Sequence, residues 1–369
     1  MKLVMTLVAR DEADVMEAML DCHLALGVDL VIATDNGSVD GTTDILRRYE
    51  RQRVLRLISE PDDVFRQGRW VTWMARMAAV DYGADWVLNA DADEFWWPRE
   101  GDLKAALAAA SPRVSALAVH RYNFVVRPED DRPFHARMLW RRTDSMTADG
   151  LRMGAKVCHR ADAKVEVAEG NHGISGLPGQ TLDDGRIEIL HYPLRTYDQY
   201  DRKVCQGTTG RMRNPEVGPG ISYHWKRSYQ ARAEGRLRQV WETWIYDDER
   251  LAAGLASGDI VEDRRVTDLL SARRPRRGTG HDTSSPAHSN NLHEPRNGHE
   301  QVTRLSTELS WLRMQRDWFA EQRDEFKGQS AHYEGVVRAL EAELADARTA
   351  RGLARNLLVR RPRARRAHP

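Results

Sequence analysis

Short apolar runs alternate with amphipathic segments along the first 90 residues of the chain. The runs have the length of buried strands, and the segments between them repeat their apolar residues at helical spacing. The predicted strands are 3–8, 30–34, 54–58 and 86–89, and the predicted helices are 11–25, 43–50 and 67–82. This alternation predicts an α/β fold with a mostly parallel sheet flanked by helices. Ligand sites in such sheets lie beyond the carboxyl ends of the strands.

The pattern is more mixed after residue 100. The segment 105–110 is typical of a helix end, and 114–126 of a strand interrupted at 120–123. Further candidate strands are 150–159, 164–167 and 187–191, and further candidate helices are 196–207 and 228–251. We therefore predict one folded domain over 1–270.

The composition changes sharply beyond this domain. Residues 271–300 are rich in Arg, Pro, Gly, Ser, Asn and His and nearly devoid of apolar residues, which predicts a disordered linker. Over 301–350, apolar residues recur every seven positions from Leu305 to Ala347, but a second apolar column is broken at Arg316, Arg323 and Ser330. This favours a coiled-coil-like helix that makes a homo-oligomer or binds a partner. A single amphipathic helix that packs on its own domain is the alternative.

Charge and cysteine content narrow the class of protein. The 369 residues carry 56 Lys and Arg against 55 Asp and Glu, a net charge of +1, so we expect no nucleic-acid partner. The three cysteines are far apart, which favours reduced thiols over a disulfide framework or a zinc site. No apolar run approaches the ~20 residues of a membrane span, so we expect a cytoplasmic protein. The basic tail, 351–369, leaves contact with the inner face of the membrane open.

Three acids follow the predicted strand 86–89 within four residues: Asp91, Asp93 and Glu94. Alternate side chains of an extended segment point the same way, so Asp91 and Asp93 are candidates to converge on one hard cation such as Mn²⁺ or Mg²⁺. A solvated acidic turn is the alternative. A second polar segment, 34–42, follows the strand 30–34, and most of it serves a turn. Asp35 is its candidate for ligand contact.

These two segments carry a resemblance to a known family. The stretch ARDEADVMEAMLDCHLALGVDLVIATDNGSVDGTTDILRRY, followed by WVLNADADEFWW, resembles the family 2-like glycosyltransferases, in the branch with DNxSxDGT and DxDEF motifs. The match is close over 1–100 and looser to about residue 210. It implies a GT-A fold, with a nucleotide-binding half at 1–100 and an acceptor half at 101–270. It also implies a UDP- or GDP-linked sugar donor, a divalent metal on the DxD motif, Mn²⁺ or Mg²⁺, and inversion at the anomeric carbon. The acceptor would be a glycan, a lipid-linked molecule or a protein.

The resemblance also implies roles for individual residues. Asp35 matches the acid that contacts the nucleoside, and Glu12 matches a Glu near the nucleotide, although Asp11 replaces the usual Asn before it. Asp91 and Asp93 match the DxD acids, with Asp93 favoured as the direct metal ligand. His23 matches a family His for which we expect a structural role.

Other candidates come from the residue types and their positions. His191 ends a predicted strand and is a candidate third metal ligand, with a satisfied core histidine as the alternative. Arg202 and Lys203 are candidates to pair with the diphosphate, or else belong to a solvated helix face.

Inverting transfer needs a base, and the candidates are His172, Glu169 and Asp149, in that order. Trp96 and Trp97 are candidates to stack on a sugar ring, or to form a hydrophobic lid. The sequence thus predicts a metal-dependent, hexosyltransferase-like enzyme. A catalytically inactive scaffold that acts through the coiled coil, and a nucleotidyltransferase, are the alternatives. A nucleotidyltransferase should carry a Gly-rich phosphate loop near the first strand, and the ARDEAD segment of this chain lacks those glycines.

Overall fold

A computed structural model describes residues 1–60, 66–146, 152–212 and 223–273, with the backbone alone for 207–212 and 223–226. The chain divides into two compact units, Met1–Gly280 and His281–Pro369. The predicted linker, coiled-coil-like helix and basic tail lie outside the described residues, apart from 271–273. Their boundaries therefore stay predictions.

The first unit is an α/β structure. Its strands are β1 (Leu3–Ala9), β2 (Leu30–Asp35), β3 (Leu55–Ser59), β4 (Trp86–Asp91), β5 (Glu94–Pro98), β6 (Val114–Val119), β7 (Arg121–Asn123), β8 (Trp140–Arg142), β9 (Lys156–Arg160), β10 (Glu166–Val167), β11 (Ile174–Ser175), β12 (Gln180–Leu182), β13 (Ile187–His191) and β14 (Ile260–Glu262). Its helices are α1 (Ala13–Ala25), α2 (Thr42–Arg51), α3 (Gln67–Val80), α4 (Leu103–Ala108), α5 (Phe134–Arg137), α6 (Tyr197–Met212), α7 (Tyr223–Ala233), α8 (Leu237–Trp244), α9 (Asp248–Ser257) and α10 (Arg265–Arg273), with a 3₁₀ turn at Glu169–Asn171.

Seven strands form the central sheet, in the order β12-β6-β9-β4-β1-β2-β3. Strands β4, β1, β2 and β3 are mutually parallel, and β9 is the strand that runs antiparallel to both of its neighbours. All seven residues of β1 are buried, as expected for a strand covered by helices on both faces. The predicted α/β class, with a mostly parallel sheet flanked by helices, is confirmed.

The strand order places a candidate site at one edge of this sheet. The carboxyl ends of β1, β2 and β4 coincide, since Ala9 pairs with Asp35 and Val8 with Asp91. The chain order reverses between β1 and β4, and such a switch point opens a crevice beyond the strand ends. Side chains that follow β1, β2 and β4 are therefore brought together there.

Two elements differ from the sequence-based expectation. The predicted helix 228–251 is divided among α7, α8 and α9, because the chain adopts a left-handed conformation at Gly235 and an extended one at Ile245. The acidic segment after β4 continues directly into β5, which pairs with β13 in a three-stranded sheet, β5-β13-β7. Within the described ranges, no helix is long and apolar enough to cross a bilayer.

Candidate functional site

The two DxD carboxylates lie at the turn from β4 to β5 but face different partners. Asp91 ends β4, and Asp93 lies in the turn immediately before β5. Asp91 contacts a buried lysine from β9, whereas Asp93 contacts a lysine from α6. Each carboxylate thus pairs with a different lysine, and convergence of Asp91 and Asp93 on one cation stays a prediction.

Asp91 is held by three donors from three parts of the chain. Its Oδ1 accepts from Gln67 Nε2 at 2.6 Å and from Asn171 Nδ2 at 3.2 Å, and its Oδ2 accepts from Lys156 Nζ at 2.6 Å. Burial alone would raise the pKa of Asp91, but the charge and hydrogen bond of Lys156, together with the charge of Arg121, lower that pKa overall. Both oxygens of Asp91 are bonded in this way, and a role as direct metal ligand stays a prediction.

A second carboxylate completes the environment of Lys156. Lys156 is almost fully buried, and its Nζ lies 3.2 Å from Glu94 Oε1 as well as 2.6 Å from Asp91 Oδ2. Arg121 Nη1 lies 3.4 Å from the same Glu94 oxygen. Burial would lower the pKa of Lys156, but Asp91 and Glu94 raise it, so the lysine stays charged. Two carboxylates and two cations thus balance in this group.

Asp93 and His191 face each other at the site. His191 Nε2 lies 3.5 Å from Asp93 Oδ1. The other ring nitrogen, Nδ1, lies 2.7 Å from Asn123 Oδ1, and Asn123 donates its Nδ2 to the Met146 carbonyl at 3.4 Å. That amide orientation makes Nδ1 the donor, so a neutral ring carries its lone pair on Nε2. A proton on Nε2 or a cation between the two atoms is needed to satisfy both.

The spacing of these atoms fits a divalent cation. Neighbouring ligands at ~2.1 Å from an octahedral ion are separated by ~3 Å, close to the observed 3.5 Å between Asp93 Oδ1 and His191 Nε2. The Asn123 bond orients the imidazole as partners of metal-bound histidines usually do. No group of three or more His, Cys, Asp or Glu side chains suited to a metal occurs among the described residues. A cation here would therefore take its remaining ligands from a substrate or water.

Lys203 on α6 connects Asp93 to the start of α1. Its Nζ lies 2.5 Å from Asp93 Oδ2 and 3.5 Å from Glu12 Oε1. Glu12 also accepts a bond from the buried Arg195, which bonds both oxygens of Asp14 at 2.6 and 2.9 Å. Burial would raise the pKa of Asp93, but Lys203 and His191 hold it well below its usual range. Three carboxylates and two cations leave this group with one negative charge.

Asp35 lies at the end of β2 and organises the turn that follows. Its Oδ1 accepts from the Ser38 backbone N–H at 3.1 Å, and its Oδ2 accepts from Thr43 Oγ1 at 2.5 Å. Each oxygen retains a lone pair for a further donor. Asp11, with a left-handed backbone, accepts the Val39 N–H at 2.6 Å and so ties the β1–α1 loop to this turn. Asp35 is thus placed at the strand-end crevice, where a nucleoside contact remains a prediction.

His172 is seated between two glycines. A Cβ added to Gly170 would lie 2.7 Å from His172 Cδ2, and one added to Gly154 would lie 3.1 Å from its Nδ1. Nδ1 lies 2.8 Å from the Ala155 carbonyl and must donate to it, so the neutral ring carries its lone pair on Nε2. Partial burial and the charges of nearby cations lower the pKa of His172. The exposed ring therefore suits a base at neutral pH.

The other two candidate bases are less suited or lie outside the described residues. Glu169 Oε2 accepts the Gly68 N–H at 2.8 Å, in the first turn of α3. That hydrogen bond occupies one carboxylate oxygen of Glu169 and holds the side chain against the start of α3. Asp149 lies outside the described residues. Arg202 has an exposed side chain on α6, next to Lys203.

The two tryptophans and His23 lie in or against the core of the protein. Trp96 is fully buried in the core, so the prediction that it stacks on a sugar is wrong. It faces inward because β5 is covered on both sides. Trp97 is partly buried, with the Arg265 guanidinium 5.6 Å from its ring centroid, and the stacking role is not supported there either. His23 bonds the Met19 carbonyl and the Trp96 N–H through its two nitrogens, and burial lowers its pKa to about 4. A structural role for His23 is confirmed.

Several residues of the site were missed in the sequence. They are Gln67, Arg121, Asn123, Lys156, Asn171 and Arg195. Lys156 begins β9, directly before the apolar residues Val157 and Cys158. Arg195 closely follows the predicted strand 187–191. Both charged residues thus lie next to apolar segments that were predicted to be buried. A charged residue next to a buried segment was the signal that could have identified both, since buried charges require partners.

Comparison with known proteins gives weak similarities. No protein-family model matches the chain, and no curated protein matches it. Among solved structures, S. aureus TarS 1–349 aligns with 59% of this chain and 67% of its own, at 14% identity and a TM-score of 0.35. The same TarS fragment in complex with UDP-GlcNAc aligns with 64% and 72%, at 13% identity and a TM-score of 0.36.

A second similar structure is glucosyl-3-phosphoglycerate synthase from Mycobacterium tuberculosis, in complex with Mn²⁺, UDP and glucosyl-3-phosphoglycerate. It aligns with 32% of this chain and 44% of its own, at 18% identity and a TM-score of 0.24. Similarities at these scores carry no argument about activity, so function is inferred from the residues of this chain.

Proposed function

We propose that this protein is a glycosyltransferase that moves a sugar from a nucleotide diphosphate sugar to an acceptor hydroxyl. The observation that carries the proposal is the facing pair Asp93 Oδ1 and His191 Nε2, 3.5 Å apart at the switch point of the sheet. The DNGSVDGT and DADEF segments, which resemble those of family 2-like glycosyltransferases, meet at that same edge. The donor would be UDP- or GDP-linked, and the acceptor a glycan, a lipid-linked molecule or a protein.

Asp93 and His191 would hold one divalent cation, Mn²⁺ or Mg²⁺. The bound cation would offset the charge that develops on the leaving nucleotide diphosphate. Asp91 would act as a fixed anion of the site, held by Lys156, Gln67 and Asn171. Asp35 would accept a hydrogen bond from the nucleoside with a remaining lone pair.

His172 would serve as the base of an inverting displacement. The acceptor oxygen forms a bond to the anomeric carbon as the bond to the diphosphate oxygen breaks, and the acceptor proton passes to His172 Nε2. The Ala155 carbonyl fixes the required tautomer, with the proton on Nδ1. Neighbouring Lys156 and Arg121 help to keep the ring neutral in the resting site by lowering its pKa, in addition to the larger effect of burial.

Calorimetric titration of UDP and GDP, with and without Mn²⁺, tests this proposal. One nucleotide should bind the wild-type protein in a metal-dependent manner, and Asp93→Asn should weaken that binding about 100-fold or more, because it removes a ligand charge. Asp44→Asn makes the same change on the exposed face of α2 and should bind like the wild type. Equal binding by Asp93→Asn would overturn the proposed metal site, and no binding of either nucleotide to folded protein would overturn the proposal and favour an inactive scaffold.

A further inference from the structure

Two cations would share the single carboxylate of Asp93. Its Oδ1 faces His191 Nε2 at 3.5 Å, where the proposed metal would bind, and its Oδ2 accepts from Lys203 Nζ at 2.5 Å. A divalent cation at Oδ1 and an ammonium group at Oδ2 repel each other across a few ångströms of a largely buried site. Lys203 therefore opposes metal binding for as long as it stays on Asp93.

Lys203 differs from the other cations of the site in its freedom to move. Its side chain is 27% exposed, against 2% for Lys156 and 0% for Arg195. Arg195 is fixed by Asp14, Glu12 and a backbone carbonyl, whereas Lys203 has two carboxylate contacts and a long flexible stem. Lys203 can turn away from Asp93 at the cost of one ion pair, provided that another anion receives it.

We infer that Lys203 couples the two ligands of this site, because it pairs with Asp93 until a nucleotide diphosphate binds and then turns to the phosphates, so that tight metal binding requires the nucleotide. This rests on the proposed function, since it takes a diphosphate as the anion. The local charges agree with this coupling. The group has one net negative charge, because three carboxylates, Glu12, Asp14 and Asp93, face two cations, Arg195 and Lys203. A divalent cation would change this to one net positive charge. A diphosphate would offset the surplus.

The coupling has a signature that a simple phosphate contact lacks. Lys203→Met removes the repulsion, so Mn²⁺ alone should bind more tightly than to the wild type, by about tenfold or more. The same variant loses a phosphate partner, so the nucleotide should bind less tightly in the presence of Mn²⁺, again by about tenfold. A lysine that only contacts phosphate would leave binding of Mn²⁺ alone unchanged. A lysine that only supports the fold would weaken both ligands.

The experiment measures Mn²⁺ alone, and UDP and GDP at saturating Mn²⁺, on the full chain by calorimetry. Lys203→Arg keeps the charge and should behave like the wild type. Lys104→Met removes a lysine that pairs with Asp29 at 2.6 Å on the surface, and should change neither affinity. If Lys203→Met does not fold, Lys203→Gln replaces it and should show the same two changes.

The outcomes separate the two proposals. Opposite changes in the two affinities support the coupling. Metal-dependent nucleotide binding by the wild type, together with an unchanged or weaker Mn²⁺ affinity in Lys203→Met, would overturn the coupling and leave the proposed function intact. Absence of nucleotide binding by the folded wild type would overturn both.

Discussion

Arg195 and Asp14 join segments 181 residues apart through two hydrogen bonds of 2.6 and 2.9 Å. Arg195 is fully buried, and it ties the start of α6 to the first turn of α1. Glu12, which also bonds Arg195, contacts Lys203, and Lys203 in turn bonds Asp93. This arginine thereby fixes the position of α1 relative to the helix that carries Lys203.

Replacing Arg195 should destabilise the protein strongly. Arg195→Met leaves two carboxylates without their shared partner, and breaking a buried ion pair costs about 3–5 kcal/mol. Arg48→Met breaks an exposed ion pair with Glu17 of 2.7 Å and should cost less than about 1 kcal/mol. Urea unfolding of both variants gives the two free energies of unfolding. Similar values would contradict the role assigned to Arg195.

The buried Asp263 should make stability depend on acid pH. Burial would raise its pKa, but hydrogen bonds from Arg265 and Arg141 lower it below the unfolded value of about 3.9. Its contribution is therefore complete above the unfolded pKa and is lost as the pH falls through the lower folded pKa. The difference in unfolding free energy between wild type and Asp263→Asn should be about 1–3 kcal/mol at pH 7 and should shrink between pH 4 and pH 2. A difference that is independent of pH would contradict this assignment.

His172 and Glu169 should have separable roles. His172→Asn should lower kcat for release of nucleotide diphosphate from the donor by about 10²–10⁴-fold, with nucleotide affinity unchanged. The wild-type rate should fall as the pH drops through the lowered pKa of His172, since the protonated ring is no base. Glu169→Gln should lower the melting temperature, because its carboxylate bonds the first turn of α3, and should keep that pH profile. If Glu169→Gln instead abolished the fall in rate at low pH, the base would be Glu169.

Gly170 should be required to leave room for the His172 ring in its observed position. Its φ of +72° disfavours any side chain, and a Cβ at this position would approach His172 Cδ2 to 2.7 Å. Gly170→Ala should therefore reduce kcat as His172→Asn does, while binding of the nucleotide persists. Gly173→Ala, where the new Cβ would meet Ala168 Cβ at an ordinary 3.9 Å, serves as the control. Equal activity of the two variants would argue against a fixed position for His172.

The first half of the fold could be predicted because its strands are mostly apolar and alternate with amphipathic helices. The predicted segments 3–8, 30–34 and 86–89 agree with β1, β2 and β4 to within two residues at each end. Parallel strands share one carboxyl edge, so the convergence of Asp35 with the acids after β4 followed from the order of elements alone.

The rest of the site depended on pairings that leave little trace in the sequence. Lys156 and Arg195 resemble surface charges until β9 and the start of α6 bring them to Asp91 and Asp14. Trp96 was misassigned because the pairing of β5 with β13, which buries it, joins segments about 90 residues apart. The lysine that bonds Asp91 likewise comes from β9, a strand that follows much later in the chain.

Pulsed electron paramagnetic resonance of the protein with Mn²⁺ and the nucleotide that binds tests the proposed metal site most directly. We predict phosphorus couplings from the diphosphate and a nitrogen coupling from one imidazole, because His191 Nε2 faces Asp93 Oδ1. His191→Gln should remove the nitrogen coupling, and His120→Gln, at a histidine paired with Asp183 away from Asp93, should keep it. A spectrum without imidazole coupling, or one that His191→Gln leaves unchanged, would contradict a metal site on Asp93 and His191.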